Sequence, residues 1–295
     1  MPQPPSRQIP GVYHRRIGDI VVTALSDGYL DGTLEVLQNI APDEAGRMLS
    51  DAFRPGRRTS VNCYLVYSGG RLALIETGSG NYLLPTAGKL QQNLTAAGVE
   101  AAAIERVILT HMHPDHSAGL TDPDTGAKLF PNAELVVHEN EPRHWHDDAA
   151  MARASERAKK LYFQCAREQI AAYHNVMHRF SGSVEVFPGV RSVPLYGHTP
   201  GHSGYMISSG KESLLIWGDI VHVPEIQVPR PDVTIEFDTD PHAAASTRKR
   251  IFDQVATDRH LIAGMHVHFP GFAHVVKHGD GYAMVPEPWD QGFAE

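Results

Sequence analysis

The sequence predicts an α/β (α+β) chain that folds as a four-layer αββα sandwich, and two observations support this prediction. A succession of strand, strand and helix occurs twice along the 295 residues, which indicates two related halves that each pair a sheet with helices. In both halves, loops rich in histidine or aspartate follow short apolar strands. We therefore expect these polar loops to meet between the edges of the two sheets.

The composition limits the class of protein. A chain of 295 residues with 42% hydrophobic residues can form one large domain or two small ones around a substantial core. Its 34 acidic and 26 basic residues give a net charge of −8 without a basic stripe, which argues against nucleic acid as a partner. Residues 1–11 lack an apolar signal-peptide segment, and no apolar run approaches a membrane span, so we expect a cytoplasmic protein without a membrane partner.

The cysteines do not form a metal or disulfide motif. Cys63 and Cys165 are the only two, and neither lies in a Cys-x-x-Cys pair. The chain therefore offers neither a thiolate zinc site nor a disulfide framework.

The first half of the chain is expected to begin with a surface arm and to continue with strands joined by turns. We assign residues 1–17 to the arm and the apolar run 19–25 to the first strand, which Ser26-Asp27-Gly28 should end. Ser68-Gly69-Gly70 has the composition of a hairpin turn, and Gly98 is a stop signal for a helix. The other expected elements are a loop with a short helix at 31–58, strands at 61–67, 72–75 and 107–109, and a helix at 84–98.

The segment that follows a strand at 134–138 differs in character from the strands around it. Apolar residues recur there at spacings of three and four, which predicts an amphipathic helix: Met151, Ala154, Ala158, Leu161 and Cys165. We expect a helical insertion at about 139–180. Two compatible interpretations apply: the insertion packs on the core, and it caps the site with aromatic side chains that form the substrate pocket. His144 and His146 are interpreted as surface or pocket residues of this insertion.

The second half returns to strands and then forms a helix and a hairpin. Asp240 followed by Pro241 is a helix start, because aspartate caps the first turn and proline is tolerated at the first helical position. This helix is expected to end at about Ala256. Strands are expected at 184–187, 190–193, 204–208, 213–217, 260–263, 275–277 and 282–285.

The highest density of potential metal ligands follows the strand at 107–109. Four side chains suited to metals fall within six positions after it: His111, His113, Asp115 and His116. In extended backbone, His111 and His113 point to the same side, and Pro114 then ends the strand. The stretch can therefore offer one pair of ligands to one cation and a second pair to another. Such ligands suit zinc, iron, manganese or cobalt, whereas histidines packed together without a metal would cost desolvation energy.

His-x-His-x-Asp-His after an apolar strand resembles the signature of the metallo-β-lactamase superfamily. Three later segments resemble further metal loops of that superfamily: Gly197 to His202, Gly218-Asp219, and Gly264-Met265-His266 with the Phe-Pro-Gly that follows. The resemblance covers roughly residues 18–288 and implies the metallo-β-lactamase fold. It also implies a single catalytic domain at 18–290.

The resemblance implies seven metal ligands and two divalent ions per chain. Zn²⁺ is the expected metal, and manganese, iron and cobalt are alternatives. His111, His113 and His198 would hold one ion, while Asp115, His116 and His266 hold the other and Asp219 bridges both. His268 and His274 compete with His266, which we prefer because it directly follows a strand and a turn of small residues. His202 is expected to hydrogen bond to a ligand instead of binding metal.

Two further positions raise questions that the sequence leaves open. Glu76-Thr77-Gly78 stands where the superfamily usually has Asp-Thr-Gly, an aspartate that orders the metal loops, so the longer side chain puts the geometry in doubt. His222 lies three residues after Asp219 and is a candidate either to contact the leaving group or to serve a structural role.

The implied activity is hydrolysis by a hydroxide that bridges two cations and attacks a lactone, carboxylic ester or phosphotriester. Asp115 and Asp219 are the candidate catalytic residues, because either could collect or pass the proton. Asp219 at the bridging position points away from the β-lactamases proper. Residues 218–223 and 268–272 resemble the branch that contains methyl parathion hydrolase and related lactonases.

Three alternatives stay open: a thioester hydrolase of the glyoxalase II type, an oxidoreductase with one iron similar to the persulfide dioxygenases, and a non-catalytic binding protein. The thioester hydrolase needs a cluster of basic side chains to bind its substrate, and the sequence shows no clear cluster of this kind. The full ligand set argues against the other two. A small-molecule substrate is the expected partner, and a homodimer is possible because helical insertions often pair.

Overall fold

The computed structural model describes residues 3–6 and 8–291, and strands and helices are numbered here in chain order. The strands are β1 Val12–Ile17, β2 Ile20–Gly32, β3 Leu37–Gln38, β4 Arg57–Ser68, β5 Arg71–Ile75, β6 Arg106–Ile108, β7 Glu134–His138, β8 Met177–Phe180, β9 Glu185–Phe187, β10 Val190–Pro194, β11 Ser203–Ser209, β12 Glu212–Ile216, β13 Thr234–Ile235, β14 Leu261–Ala263, β15 Phe272–His278 and β16 Gly281–Pro286. The α-helices are α1 Pro42–Asp51, α2 Leu90–Ala96, α3 Pro114–Ser117, α4 Asn140–Trp145, α5 Asp148–Arg153, α6 Glu156–Ala158, α7 Cys165–Ala171, α8 Pro224–Gln227 and α9 Pro241–Asp258.

Two large mixed sheets form the centre of the molecule. The first has the strand order β1-β2-β4-β5-β6-β7-β8, and the second has the order β16-β15-β14-β12-β11-β10-β9. In the first sheet, the strands from β5 to β8 run parallel, as do β12 and β14 in the second. The remaining pairs are antiparallel, including a small third sheet of β3 and β13. These sheets with their helices confirm the predicted α/β class.

The buried side chains divide into layers that match the αββα sandwich. Val22 and Ile75 of the first sheet pack with Ile207 and Ile216 of the second, so one core lies between the sheets. A second core lies between the outer face of the first sheet and its helices, with contributions from Leu74, Leu94 and Phe163. A third lies between the second sheet and α9, where Ile251 and Phe252 pack on Leu215.

The beginning of the chain differs from the sequence prediction. Val12–Ile17, assigned to the surface arm, is β1 and pairs with Ile20–Leu25 of β2. β2 does not end at Ser26-Asp27-Gly28 but continues to Gly32, because a register shift between Ser26 and Gly28 lets the ladder with β4 resume.

The helix expected at 84–98 is shorter than predicted and covers only Leu90–Ala96. The buried carboxylate of Asp27 accepts hydrogen bonds from the backbone N–H groups of Ser79, Gly88 and Leu90. It therefore holds the preceding segment as a loop, and Gly88 has a φ of 77° that a helix does not contain.

The insertion at 139–180 is helical but not one continuous helix, and its last residues form β8. Ala154 has an extended backbone, and the Ser155 side chain then accepts a hydrogen bond from the N–H of Ala158 to start α6. A π-helical turn over Lys159–Gln164 joins α6 to α7. The local apolar spacing continued through these breaks, so periodicity alone did not reveal them.

The second half agrees closely with the prediction. The Asp240 side chain accepts a hydrogen bond from the N–H of Ala243, as expected for the cap of α9, which ends at Asp258. β12 and β14 run parallel and adjacent, so their carboxyl ends open onto the same edge of the sheet. Among the residues described, no helix is long and apolar enough to cross a membrane.

Candidate metal centre

One carboxylate oxygen lies at the centre of a buried ring of imidazoles. Asp219 follows β12, and its Oδ2 lies within 4 Å of five imidazole Nε2 atoms. The distances are 3.8 Å to His111, 3.3 Å to His116, 3.3 Å to His198, 3.1 Å to His222 and 3.1 Å to His266. These residues come from loops far apart in sequence, so the ring exists only in the folded chain.

The seven side chains predicted as ligands come together in overlapping sets of three whose candidate ligand atoms lie within 4.8 Å of one another. Asp219 is in one set with His111 and His116 and in another with His198 and His222, and two sets without Asp219 contain the other six predicted ligands. We call His111, His113 and His198 the first group, and Asp115, His116 and His266 the second group. This division is the one expected from the sequence, and both groups are able to bind a metal ion.

Strand ends position the two groups. β6 ends at Ile108, and the polypeptide then supplies His111 and His113 in extended backbone before α3 begins at Pro114. Asp115 and His116 lie in the first turn of α3. β14 ends at Ala263, and His266 follows after one short turn. The five histidines of the two groups are at most 4% exposed, whereas the Asp115 side chain is 18% exposed.

The ring nitrogens that face away from the centre contact specific oxygens. His198 Nδ1 donates to Asp238 Oδ1 at 2.7 Å, and His266 Nδ1 donates to the carbonyl of Ser60 at 2.7 Å. These bonds fix the two rings and direct each Nε2 at the centre. Both histidines therefore present one ring nitrogen to the position where a metal ion would lie.

The sequence left the geometry of Glu76 in doubt, and in the structure both oxygens of its carboxylate contact the centre. Its Oε1 accepts a hydrogen bond from the backbone N–H of Thr110 at 2.6 Å, and its Oε2 lies 3.2 Å from His116 Nδ1. Glu76 has a left-handed φ of 69°, a costly conformation for a residue with a side chain. The longer carboxylate thus contacts the loop before His111 and the ring of His116.

His202 holds the backbone of Asp219, as predicted for a residue that is not a ligand. Its Nδ1 donates to the carbonyl of Leu195 at 2.8 Å, so its Nε2 is free to accept from the N–H of Asp219 at 2.9 Å. Gly218 makes this contact possible, because a Cβ at that position would lie 2.4 Å from His202 Nε2. Burial and the neighbouring His198 lower the pKa of His202 to about 3, so the ring is neutral.

The electrostatics of the centre favour a positive charge. Burial alone would raise the pKa of Asp219, but the surrounding histidines, led by His116, hold it well below its usual value. Burial would lower the pKa of His198, yet Asp219 and Asp238 raise it to about 9. His111 and His113 have pKa values well below normal because they are buried next to other imidazoles. The ionised Asp219 thus attracts positive charge, which raises the pKa values of His116, His198 and His266 and which a divalent cation bound by imidazole and carboxylate ligands would also supply.

Several buried polar atoms in the centre lack a hydrogen-bond partner within the described residues. They are His111 Nε2, His116 Nε2 and Asp219 Oδ1. Buried polar atoms rarely stay unsatisfied, since each costs desolvation energy. Two of them, His111 Nε2 and His116 Nε2, lie beside Asp219 Oδ2, and unsatisfied ligand-type atoms at one place fit a divalent cation.

The comparison with known families agrees with this geometry. A sequence model of the metallo-beta-lactamase superfamily matches residues 56–266. The chain belongs to the metallo-β-lactamase superfamily. The match begins in the turn before β4 and ends at His266, so it spans every loop that supplies the two groups.

Two solved structures are similar to the chain over almost its whole length. The first is AbOPH, a hydrolase in the β-lactamase superfamily, with a TM-score of 0.89, 29% identity and coverage of 97% of this chain and 100% of that one. The second is AidC, a dizinc quorum-quenching lactonase in complex with a product, N-hexnoyl-L-homoserine, with a TM-score of 0.90, 26% identity and coverage of 96% and 99%. The superfamily and these neighbours make the chain a hydrolytic enzyme related to lactonases.

A curated relative is similar over a shorter stretch. The atrochrysone carboxyl ACP thioesterase of Passalora fulva is 33% identical over 90 residues, which is 30% of this chain and 25% of the relative. The matched part thus spans about a quarter of that protein's length.

The three candidate terminal histidines lie in different surroundings. His266 lies in the second group, whereas His268 Nε2 contacts Glu225 Oε1 at 2.6 Å and His274 Nδ1 contacts the carbonyl of His260 at 3.2 Å. His222, left open by the sequence, is 5% exposed and belongs to the ring around Asp219.

Sequence reasoning missed two residues that support the centre. Asp238 contacts His198 from 40 residues away, and Glu141 of the insertion contacts the two loops that contain His113 and His198. Neither lies in a recognisable motif. The only signal was an acidic residue beside a predicted helix start or within a helical segment, and many surface residues share that feature.

The insertion both packs on the core and covers the centre. Phe163 and Ile170 belong to the core outside the first sheet. The Tyr162 ring lies 4.8 Å from the His113 ring, and the Trp145 ring lies 5.4 Å from it. Tyr162 is part of the π-helical turn, a feature often found at functional sites. The two interpretations of the insertion are therefore compatible.

Proposed function

We propose that the chain is a dinuclear metal-dependent hydrolase, and that its preferred substrate is a lactone. The observation that supports this proposal is the convergence of the two groups on Asp219 Oδ2, with unsatisfied donor atoms directed at the same centre. A binding protein without catalysis would not need this complete set.

In the proposal, the first group holds one divalent ion, the second group holds the other, and Asp219 contributes to both. Zn²⁺ is the proposed metal, because imidazole and carboxylate suit it and AidC is described as a dizinc enzyme. When bound, such a pair of ions supplies an activated water nucleophile and polarises the electrophilic oxygen of the substrate.

In the proposal, residues of the chain orient the ligands and transfer the proton. Asp238, Ser60 and His202 fix the orientation of His198, His266 and Asp219. Asp115 has the most exposed side chain of the seven, so it is the carboxylate placed to meet incoming water and substrate. We propose Asp115 and Asp219 as the residues that accept and pass the proton.

His222 is proposed to face the reacting group of the substrate. Its Nε2 lies 3.1 Å from Asp219 Oδ2, and its Nδ1 has no hydrogen-bond partner among the residues that the structure covers. Burial lowers the pKa of His222 to about 4 although Asp219 opposes this, and the neighbouring His198 and His266 add to the lowering. The ring is therefore neutral and can donate one hydrogen bond.

The likeness to AidC over almost the whole chain favours a lactone with an acyl substituent. Tyr162 and Trp145 beside His113 would give such a substituent an apolar wall. The second candidate is a thioester, which the shorter similarity to the Passalora fulva thioesterase favours. Carboxylic esters and phosphotriesters stay within the proposed class, because the same centre can attack each of them.

The test combines metal analysis with a substrate panel. Purified protein should contain two divalent ions per chain, and removal of the ions with a chelator should abolish hydrolysis until zinc is restored. The panel includes N-acyl homoserine lactones, p-nitrophenyl esters, phosphotriesters, thioesters and β-lactams, and lactones should give the highest kcat/KM. One iron per chain with thiol-dependent oxygen uptake would overturn the proposal. The predicted homodimer can be tested on the same sample by sedimentation.

A further inference from the structure

Glu141 is a fully buried carboxylate that lies outside both groups. It belongs to α4, at the start of the insertion, and both of its oxygens accept hydrogen bonds. Its Oε2 accepts from the backbone N–H of Met112 and from Trp145 Nε1, each at 2.9 Å. Its Oε1 accepts from Thr199 Oγ1 at 2.5 Å and from the backbone N–H of Gly201 at 2.9 Å. The two oxygens therefore face different parts of the surrounding chain.

Three of these donors come from two loops of the first group. Met112 stands between His111 and His113, while Thr199 directly follows His198. One carboxylate therefore connects the loop of His113 to the loop of His198, although these histidines are 85 residues apart in sequence. Across this connection, His198 Nε2 lies 3.0 Å from His113 Nδ1.

The donors around Glu141 favour an ionised carboxylate. The two backbone N–H groups and the indole N–H can only donate, so a proton on Glu141 Oε2 would face a donor. Burial raises the pKa of Glu141 above its usual value, and the hydrogen bonds from Thr199 and Trp145 oppose that rise. Hydrogen bonds to a buried charge are stronger and more directional than neutral ones, so the two loops are held at a defined separation.

The second group has a different carboxylate beside it. Glu76 accepts from the N–H of Thr110 and lies against His116, whereas the four donors to Glu141 all lie outside the second group. Gly201 also indicates how closely Glu141 approaches the loop after His198. A Cβ at Gly201 would lie 2.9 Å from the Glu141 side chain.

We propose that Glu141 is a positioning residue that sets the separation of the His113 and His198 loops, and thereby the metal affinity of the first group alone. This inference rests on the proposed function, because it assumes that the first group binds an ion. Glu141 does not touch the substrate or the metal in this proposal. It acts through the backbone on either side of the ligands.

The substitution Glu141→Gln tests the proposal without changing the volume of the side chain. The amide nitrogen can face either pair of donors, and Thr199 is the only partner able to accept from it. The introduced amide should therefore direct its nitrogen at Thr199 and Gly201, which loosens the loop of His198. Glu139→Gln is the matched control, because Glu139 lies on the same segment but is 45% exposed, with a distant contact to Arg143.

The affinity of each group is measured separately by combining the substitution with a variant that disables the other group. His266→Ala leaves the first group intact, and His198→Ala leaves the second. Zinc affinity is measured by competition with a chromophoric chelator, and fold by circular dichroism. We expect Glu141→Gln to weaken zinc binding by about tenfold or more in the His266→Ala background and to leave it unchanged in the His198→Ala background. Glu139→Gln should change neither.

Equal weakening in both backgrounds, or no change in either, would overturn the inference, because a general loss of packing would affect the two groups alike. A wild-type chain that binds fewer than two ions would overturn the proposed function instead, and the inference with it. If Glu141→Gln does not fold, Thr199→Val applies the same test, since it removes one hydroxyl donor and keeps the side-chain shape. It should weaken only the first group, by a smaller factor, and an equal effect on both groups counts against the inference.

Discussion

The Nε2 atom of His202 accepts a hydrogen bond from the backbone N–H of Asp219 at 2.9 Å. The two residues belong to different loops of the second sheet, one before β11 and one after β12. Asp219 Oδ2 lies within 4 Å of histidines from both groups, so in the proposed dinuclear site the position of this carboxylate decides whether two ions can be held together. The neutral ring of His202 thus orients the carboxylate of Asp219 by holding the backbone of Asp219.

The substitution His202→Ala should lower kcat about tenfold, because Asp219 loses the partner that fixes its backbone. His202 has a pKa of about 3 and stays neutral at higher pH, so the loss should be the same at pH 6 and pH 8. Steady-state kinetics at both pH values measure this. A deficit that appears at only one pH would contradict the orienting role.

Asp219→Ala should remove most of the hydrolysis and lower the occupancy of at least one metal, because the carboxylate lies within reach of both groups. Metal content and kcat/KM are measured on the same preparation. His268→Ala is the control and should retain both metals, since His268 contacts Glu225 and not the centre. Near-normal turnover in Asp219→Ala would argue against a shared ligand.

Asp238→Asn should weaken metal binding by the first group about 10- to 100-fold. The carboxylate accepts the Nδ1–H of His198 at 2.7 Å, and an amide at this position can present its nitrogen to the ring instead. Zinc competition with a chelator gives the affinity. Unchanged binding would mean that packing alone, without this hydrogen bond, orients His198.

The contact of Glu225 with His268 and Arg54 should make stability depend on pH. Burial alone would raise the pKa of Glu225, but hydrogen bonds from His268 and Arg54 lower it to about 2. A carboxyl whose pKa is lower in the folded state stabilises that state above its unfolded pKa of about 4.5. This stabilisation is lost as the pH falls toward the folded pKa of about 2.

Glu225→Gln should therefore reduce the free energy of unfolding by roughly 2 kcal/mol at pH 7 and by less at pH 3.5. Urea unfolding of chelator-treated protein at both pH values measures the difference. Glu105→Gln is the control and should have little effect, because the ion pair of Glu105 with Arg71 is exposed. A difference that grows toward acid pH would contradict the assignment.

The sequence by itself determined the sandwich class, most strand positions, the six residues of the two groups and Asp219. Many of these follow from short-range signals. His111 and His113 are two residues apart and so point to the same side of extended backbone, Pro114 begins the next helix, and the capping side chain of Asp240 lies at the start of its own helix. Side-chain direction and helix capping depend on neighbouring residues only, so the order of residues contains them.

Tertiary structure alone decided what surrounds the ligands. The partners Asp238 and Glu141, the ring contacts of His222 with His198 and His266, and the shortening of the helix by Asp27 all depend on the meeting of segments far apart in sequence. A hydrogen bond of this kind has no local pattern, because any acidic residue could supply it once the two sheets pack. The sequence names the candidate ligands, and the packing of the sheets selects the groups that orient them.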